Sequence, residues 1–398
     1  MRFRSLGILL IVFIQLCGGG CLASPTGKRS TATLPPYPAG TRKPSDIPQG
    51  QRATPLIPSP TASGTAPPTA SASPVPSLTP TAVGSSHPSP TPFPVGQELT
   101  IRYLRNLEIQ GSEITFQERL ANGPGYRRHL VSYQSEGLQV YGLLTVPLEE
   151  PPEGGFKAVV FNHGYIPPNE YRTTARYEAY VNYLARSGLV VFKIDYRGHG
   201  RSEGVPTGTY FSPAYTIDAV SALKSLQRLD IVDPQGIGMW GHSMAGNLVL
   251  RAMLVVPDLQ AGVIWSGAVY SYGDFFTFGI NDRTYQPPPT PEEGQGMDPR
   301  RSIRTIIETY GEPDPASAYW EAVSLTENIH YLGRPLQLHH AEDDPVVNVG
   351  YSIGLAGVLQ EQGADYQLYT YPEGGHNLVS PYFDQAMRRT VDFFRENL

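Results

Sequence analysis

Cysteine is nearly absent from this sequence. Its 398 residues include two cysteines, Cys17 and Cys21, and both lie close to the amino terminus. The mature domain therefore has no internal disulfide, and two cysteines alone do not make the paired cysteine pattern of a structural zinc site. We expect the stability of the folded part to come from a buried apolar core.

Charged residues are also scarce, at 17% of the chain, and the formal net charge is −6. This balance offers no broad basic surface for a nucleic acid. The sequence contains neither a phosphate-binding loop nor a dinucleotide fingerprint. We therefore expect no nucleic-acid partner, no metal and no cofactor.

The first apolar run is too short to cross a bilayer. It follows Arg2 and Arg4 and covers residues 6–16, which is eleven residues, whereas a membrane-spanning helix needs roughly 20. A short apolar run behind basic residues predicts an export signal. We expect the protein to be exported from the cytoplasm.

The run ends in residues 17–21, Cys-Gly-Gly-Gly-Cys, which resemble the lipobox of bacterial lipoproteins. The resemblance implies a signal peptide over residues 1–21 and lipidation of Cys21. Gly18 departs from the leucine that is usual at its position, and Cys17 fits less well because a bulky residue precedes it. The expected location is the cell surface, with the membrane as a partner through a lipid anchor, and simple secretion is the alternative.

Residues 22–96 consist mainly of Pro, Thr, Ser, Ala and Gly. A segment with so few large apolar side chains cannot offset its ordering entropy, so it is predicted to be a disordered tether with polyproline II character. At about 3 Å per residue it would reach on the order of 200 Å when fully extended. The folded domain is predicted to cover residues 97–398.

Strands and helices alternate through this domain. Apolar runs predict strands at residues 128–133, 138–146, 158–162, 189–194, 237–240, 261–265, 336–340 and 366–371. Helical spacing predicts helices at residues 173–187, 213–229 and 351–362, and a last helix capped by Ser380 with Pro381 at its first position. The first two strands form a hairpin, and the alternation predicts an α/β fold with a mostly parallel sheet and helices on both faces.

Residues 236–247, Gly-Ile-Gly-Met-Trp-Gly-His-Ser-Met-Ala-Gly-Asn, have the form of a nucleophile elbow. A strand runs into a turn that carries Ser243, the candidate nucleophile, and then into a helix. Gly241 and Ala245 leave room for a sharp turn, although Ala245 stands where a second glycine is usual. The N–H of Met244 is a candidate oxyanion donor. The alternative is a tight turn with a buried serine.

A serine nucleophile needs a base and an orienting acid. His376 is the candidate base, because it follows a strand through a glycine-rich loop near the carboxyl terminus. The acid is expected just after the strand ending at His340, where residues 342–344 are Glu-Asp-Asp. The alternatives for this cluster are a solvated loop and a metal site with His340. The N–H of Tyr165, after the strand at residues 158–162, is the second candidate oxyanion donor.

These motifs together resemble the α/β-hydrolase superfamily across residues 128–398. The matching segments are His163-Gly164, residues 195–204, residues 241–244, residues 340–347 and Gly375-His376. The resemblance implies the α/β-hydrolase fold with Asp344 as the acid and His376 as the base, and Asp343 is the runner-up for the acid.

Two branches of the superfamily compete. The amino-terminal hairpin and the spacing from His340 to Val347 are similar to prolyl oligopeptidase catalytic domains. The segment at residues 198–204 and the elbow resemble monoacylglycerol lipases and serine aminopeptidases. We expect a serine hydrolase acting on a short peptide or a small ester, resembling prolyl oligopeptidase first and a carboxylesterase or lipase second. The alternative from another class is a non-catalytic binding protein at the cell surface.

An insertion at about residues 270–310 is rich in aromatic residues, among them Tyr270, Tyr272 and Phe278. It lies between two predicted strands that are separated by about 70 residues, which is more than one crossover needs. We interpret it as a lid that presents aromatic rings to an apolar part of the substrate. The alternative is that these rings only pack the insertion onto the domain.

Overall fold

The computed structural model describes residues 93–284, 299–314 and 316–398. The signal peptide, Cys21 and nearly all of the predicted tether lie outside these residues, as do residues 285–298 of the insertion, so the predictions made for them stay predictions. Within the described ranges, the helices are too short or too polar to span a bilayer.

Nine strands of the described chain form one sheet, in the order β1-β2-β3-β5-β4-β6-β7-β8-β9. Their bounds are β1 Thr115–Gly123, β2 Tyr126–Ser135, β3 Leu138–Pro147, β4 Phe156–Asn162, β5 Val190–Ile194, β6 Val232–His242, β7 Ala261–Trp265, β8 Leu336–Ala341 and β9 Tyr366–Tyr371. β1, β2 and β3 pair antiparallel, β3 pairs antiparallel with β5, and all other pairs are parallel. The predicted α/β fold with a mostly parallel sheet is confirmed.

The β2–β3 hairpin is closed by a two-residue turn. Ser135 pairs with Leu138, so the loop contains only Glu136 and Gly137, whose φ angles are 49° and 79°. Two successive positive φ angles match the right-handed twist of the flanking strands. The hairpin predicted from the sequence is therefore present with its turn in the expected place.

Helices cover both faces of the sheet. Their bounds are α1 Ile101–Asn106, α2 Glu178–Arg186, α3 Ala214–Leu226, α4 Met244–Val255, α5 Tyr272–Phe278, α6 Pro299–Tyr310, α7 Ala318–Val323, α8 Gly350–Glu361 and α9 Phe383–Asn397, with short 3-10 helices at Gln97–Leu99 and Thr326–Tyr331. Buried side chains of α3, α4 and α8 belong to one apolar cluster and those of α2 and α9 to another. The sheet therefore separates two cores, and the middle strands are buried on both faces.

Two helix starts predicted from the sequence are wrong. α2 begins at Glu178 rather than at residue 173, because Arg176 and Tyr177 have φ angles of 63° and 56°, which a right-handed helix excludes. The last helix begins after Tyr382 instead of at Pro381, since the Tyr382 N–H is turned back to the Val379 carbonyl at 3.2 Å.

The end of the predicted tether packs onto the domain. The Phe93 ring meets the rings of Tyr310 and Tyr319 edge-on, at centroid distances of 5.8 Å and 5.3 Å. Val95 donates its N–H to the Tyr310 hydroxyl and accepts a hydrogen bond from it, at 3.2 Å and 2.9 Å. Residues 93–96, which the sequence assigned to the tether, therefore pack with the folded domain.

Candidate active site

Ser243 lies in a strained turn between β6 and α4. Its backbone has φ 56° and ψ −121°, a combination that costs on the order of 1–3 kcal/mol in a residue with a side chain. Its N–H donates to the Trp265 carbonyl at 2.9 Å, which ties the turn to the end of β7. The predicted strand–turn–helix elbow is thus present, with the serine at the carboxyl end of a central strand.

Close contact between α4 and the sheet explains the small residues of the elbow. A Cβ atom on Gly241 would lie 2.6 Å from both the Ala245 carbonyl oxygen and the Val249 Cγ2. One on Gly246 would lie 2.6 Å from the Gly267 Cα. Ala245 is itself fully buried. The methyl group of alanine fits where the second glycine is usual, whereas Gly241 has no room for it.

The structure brings Ser243, His376 and Asp344 together. The Ser243 Oγ lies 2.9 Å from the His376 Nε2, and the His376 Nδ1 lies 2.8 Å from the Asp344 Oδ2. The Asp344 side chain is fully buried, whereas the His376 side chain is 15% exposed. The serine hydroxyl can donate to Nε2 while Nδ1–H donates to the carboxylate, which is the arrangement that base-assisted nucleophilic attack requires.

The two adjacent aspartates after β8 have different partners. Asp344 uses Oδ1 to accept the N–H groups of Val346 and Val347, at 2.8 Å and 3.0 Å. Asp343 instead accepts the Gly375 N–H at 2.8 Å, one residue before His376. Asp344 is therefore the carboxylate in contact with His376, and Asp343 holds the loop that carries it.

The Asp344 carboxylate is held in its ionised form. Burial alone would raise its pKa, but hydrogen bonds from His340 and His376 hold that pKa well below its usual range. His340 lies 3.3 Å from Asp344 through Nε2, and its Nδ1 lies 2.7 Å from the Ser352 hydroxyl. Both ring nitrogens of His340 thus make contacts within the protein. Among the described residues, no three His, Cys, Asp or Glu side chains are arranged so that they could hold a metal ion.

The loop after β4 lies beside the elbow. A Cβ atom on Gly164 would lie 3.1 Å from the His242 carbonyl oxygen, so the backbone that precedes Tyr165 approaches the residue that precedes Ser243. Met244 is the first residue of α4, and N–H groups of a first helical turn point out of the helix end. The two predicted oxyanion donors therefore belong to backbone segments that meet at Ser243, and their catalytic role stays a prediction.

Sequence reasoning missed the environment of His242. A sharp turn points neighbouring side chains apart, so a position next to Ser243 gives no reason to expect a contact with the base, yet the ring centroid of His242 lies 4.6 Å from that of His376. Its Nδ1 contacts the hydroxyl of Tyr177, which stands 65 positions earlier in the chain. No local pattern links two residues so far apart, so the sequence carried no signal for this contact.

The aromatic residues of the insertion divide into two groups. Tyr270 and Tyr272 are buried in the domain core. Phe276 and Phe278 of α5 are 47% and 37% exposed, and the Phe278 ring packs on Tyr351 of α8 with centroids 5.1 Å apart. Packing onto the domain accounts for Tyr270 and Tyr272 and for part of the Phe278 ring, and the lid stays a prediction.

Two family models match the chain. One, described as serine aminopeptidase, S33, matches residues 156–280, which include Ser243 and the loop after β4. The other, described as BAAT / acyl-CoA thioester hydrolase C terminal, matches residues 219–397, which include Ser243, Asp344 and His376.

Related sequences and folds agree with these matches. A Bacillus subtilis (strain 168) protein named uncharacterized peptidase YtmA is 25% identical over 269 residues, which cover 67% of this chain and 90% of that protein. Acetyl xylan esterase 1 from Thermoanaerobacterium has a TM-score of 0.53 at 16% identity, over 75% of this chain and 93% of the esterase. Dipeptidyl peptidase 4 from Porphyromonas gingivalis has a TM-score of 0.50 at 17% identity, over 69% of this chain and 36% of the peptidase. At such identities the structures establish a shared fold.

The sheet order, the serine elbow and the family matches place this chain in the α/β-hydrolase superfamily. It is a serine hydrolase. Within the superfamily its matches divide between serine aminopeptidases and acyl-CoA thioester hydrolases.

Proposed function

We propose that the protein hydrolyses acyl compounds in two steps through an acyl-enzyme on Ser243. His376 accepts the hydroxyl proton as Ser243 attacks the carbonyl carbon, and then donates it to the leaving group. Water, deprotonated by the same histidine, attacks the acyl-enzyme and releases the acid. The continuous contacts from the Ser243 Oγ through His376 to Asp344, at 2.9 Å and 2.8 Å, carry this proposal.

Backbone donors complete the proposed machinery. The N–H groups of Tyr165 and Met244 would hold the oxyanion that forms on the attacked carbonyl, and each such donor contributes about 3 kcal/mol to the transition state. Met244 also stands at the positive end of the α4 dipole, which favours negative charge there.

Peptides or amides are the proposed first substrate class. The serine aminopeptidase match covers the elbow and the loop after β4, and a relative that is aligned over 90% of its length is named a peptidase. The second candidate is an ester or thioester. It is favoured by the acyl-CoA thioester hydrolase match, because that match alone spans Ser243, Asp344 and His376.

Active-site labelling tests the reaction type. The full-length chain should react covalently with a fluorophosphonate, and Ser243→Ala should abolish the reaction. Ser187→Ala is the matched control, because it removes a serine hydroxyl that only donates to the Tyr183 carbonyl. An unlabelled wild-type chain, or equal labelling of Ser243→Ala, would refute the proposed nucleophile.

Substrate panels then separate the two classes. Wild-type enzyme that has not been exposed to the fluorophosphonate is assayed with aminoacyl and prolyl p-nitroanilides and with p-nitrophenyl esters of increasing acyl length. For each substrate, kcat/KM is divided by the rate of uncatalysed hydrolysis. A peptidase should give a higher ratio on one of the anilides than on any ester, and Ser243→Ala should abolish the activity. Activity confined to esters would decide for the second class.

A further inference from the structure

A chain of hydrogen bonds runs behind Ser243 and joins the two loops on either side of it. The Gly164 N–H donates to the Tyr177 hydroxyl at 3.0 Å. The same hydroxyl lies 2.7 Å from the His242 Nδ1, and the His242 Nε2 lies 2.7 Å from the main-chain carbonyl oxygen of His376. One end of this chain is thus the residue before Tyr165, and the other end is the backbone of His376.

Only one arrangement of protons satisfies all three contacts with a neutral ring. A carbonyl oxygen can only accept, so the His242 Nε2 must carry the hydrogen. Nδ1 is then the acceptor, and it takes the hydroxyl hydrogen of Tyr177. The Tyr177 oxygen in turn accepts the Gly164 N–H. Each group therefore has a fixed direction, and the chain has no freedom to reverse while His242 is neutral.

His242 is buried where a charge is unfavourable. Its side chain is 2% exposed, and burial, followed by the nearby His376, lowers the pKa of His242 to about 3. The ring therefore stays neutral at physiological pH, even when His376 accepts a proton. His242 can therefore donate a hydrogen bond to the His376 carbonyl without competing for the proton that the His376 ring accepts from Ser243.

The backbone at Arg176 and Tyr177 is strained where it places the Tyr177 hydroxyl against His242. Arg176 and Tyr177 both adopt positive φ, at 63° and 56°, a conformation that residues with a side chain rarely adopt and that persists only where surrounding contacts impose it. The Tyr177 ring is enclosed by Phe161 and Trp240, at centroid distances of 5.6 Å and 6.1 Å. The packing fixes the ring, and the hydroxyl reaches His242.

We propose that Tyr177 and His242 are positioning residues that set the oxyanion loop and the His376 loop at a fixed separation around Ser243. The inference rests on the proposed function, because it gives a role to both loops in acyl transfer. Their side-chain hydrogen bonds go to each other, to the Gly164 N–H and to the His376 carbonyl, and not to the Ser243 Oγ or the His376 ring nitrogens. They act through Gly164, which precedes the donor Tyr165, and through the carbonyl of His376 itself.

The hydroxyl of Tyr177 can be removed without removing its ring. Tyr177→Phe keeps the packing on Phe161 and Trp240 and breaks the bridge at its centre. Tyr133→Phe is the matched control, because Tyr133 is buried and its hydroxyl also makes a hydrogen bond within the protein, to the Asp218 carbonyl at 2.9 Å, under α3. Both variants lose one hydrogen-bonded hydroxyl, so both should lower the melting temperature.

The catalytic consequence should appear in Tyr177→Phe alone. Fluorophosphonate labelling of the full-length chain, followed over time, gives a maximal rate and a half-saturating concentration. The maximal rate should fall about tenfold in Tyr177→Phe, because small displacements of reacting groups carry penalties of this size. The half-saturating concentration should not change. An equal maximal rate in Tyr177→Phe and Tyr133→Phe overturns the proposal.

Variants of His242 test whether the two residues act as one unit. His242→Leu removes both bonds of the ring and should slow labelling about a hundredfold. His242→Gln keeps an amide N–H in place of Nε2–H and should recover part of the rate. Adding Tyr177→Phe to His242→Leu should change nothing further, because the bridge is already broken. Independent, multiplicative effects would overturn the coupling.

These outcomes separate the inference from the proposed function. If the wild-type chain is not labelled, both fail. If Ser243 is labelled and Tyr177→Phe reacts at the wild-type rate, the acyl-transfer proposal stands and the bridge is refuted.

Discussion

Asp343 and Asp344 are neighbours in the chain but support the His376 loop in different ways. Asp344 faces the ring of His376, and Asp343 accepts the Gly375 N–H beside it. The local pattern could not assign them, because two adjacent carboxylates after a strand look alike, and only the resemblance to α/β-hydrolases favoured Asp344. Only the φ and ψ angles of the loop decide which one turns inward.

Replacing each aspartate by asparagine should separate these roles. Asp344→Asn places an amide N–H against the His376 Nδ1–H, so the ring loses its orientation, and kcat should fall about 10³- to 10⁴-fold. Asp343→Asn retains an oxygen that accepts the Gly375 N–H, and kcat should fall less than about tenfold. Steady-state kinetics on whichever chromogenic substrate the wild type cleaves gives both values. Equal losses in the two variants would contradict the assignment.

At the scale of elements, the contact between α4 and β6 sets the position of Ser243. Gly241→Ala inserts a methyl group 2.6 Å from atoms of Ala245 and Val249. We expect the free energy of unfolding to fall by about 1–3 kcal/mol, as in other overpacked cores, and fluorophosphonate labelling of Ser243 to slow. Urea denaturation and labelling rates measure the two effects.

Gly354→Ala is the control for this change. Gly354 lies in α8 with open space around its Cβ position, and alanine is favoured over glycine in a helix by up to about 1 kcal/mol. This variant should be as stable as the wild type or more so, with unchanged labelling. If Gly241→Ala also left the free energy of unfolding and the labelling rate unchanged, the close contact at Gly241 would be refuted.

The sequence predicted the buried strands well because they are short continuous apolar runs between turn residues. β5 and β7 match their predicted positions to within one residue. β1 was not predicted, because its residues are mostly exposed and show no alternation. The start of α2 was wrong because Tyr177 has helical spacing in the sequence, while its contact with His242 holds it in a left-handed conformation.

For the whole molecule, buried histidines predict a loss of stability in mild acid. Burial lowers the pKa of four of them, which are His163, His199, His242 and His339, and for all but His199 the pKa lies well below the usual value. Unfolded histidines titrate near 6.5, so at pH 5 the unfolded chain binds more protons and stability rises with pH. Asp195 opposes this trend by one proton, because burial raises its pKa to about 6.

Unfolding near pH 5 therefore takes up protons on balance, and the free energy of unfolding should fall as the pH is lowered from about 6.5 to about 4.5. Urea unfolding at several pH values in this range measures the fall. His339→Gln removes one of the titrating groups and should make the fall less steep, whatever its effect on stability at pH 7. A free energy of unfolding that is constant over this range would contradict the prediction.

The packing of residues 93–96 also has a mechanical consequence. The chain enters the fold where Val95 holds the hydroxyl of Tyr310 and where the Tyr319 hydroxyl donates to the Gly96 carbonyl at 3.2 Å. A pulling force on the amino-terminal segment is therefore borne first by these few bonds and by the Phe93 ring, ahead of the central sheet. These contacts would break and re-form under load before the hydrogen bonds of the central sheet do, so that β6 and Ser243 keep their positions.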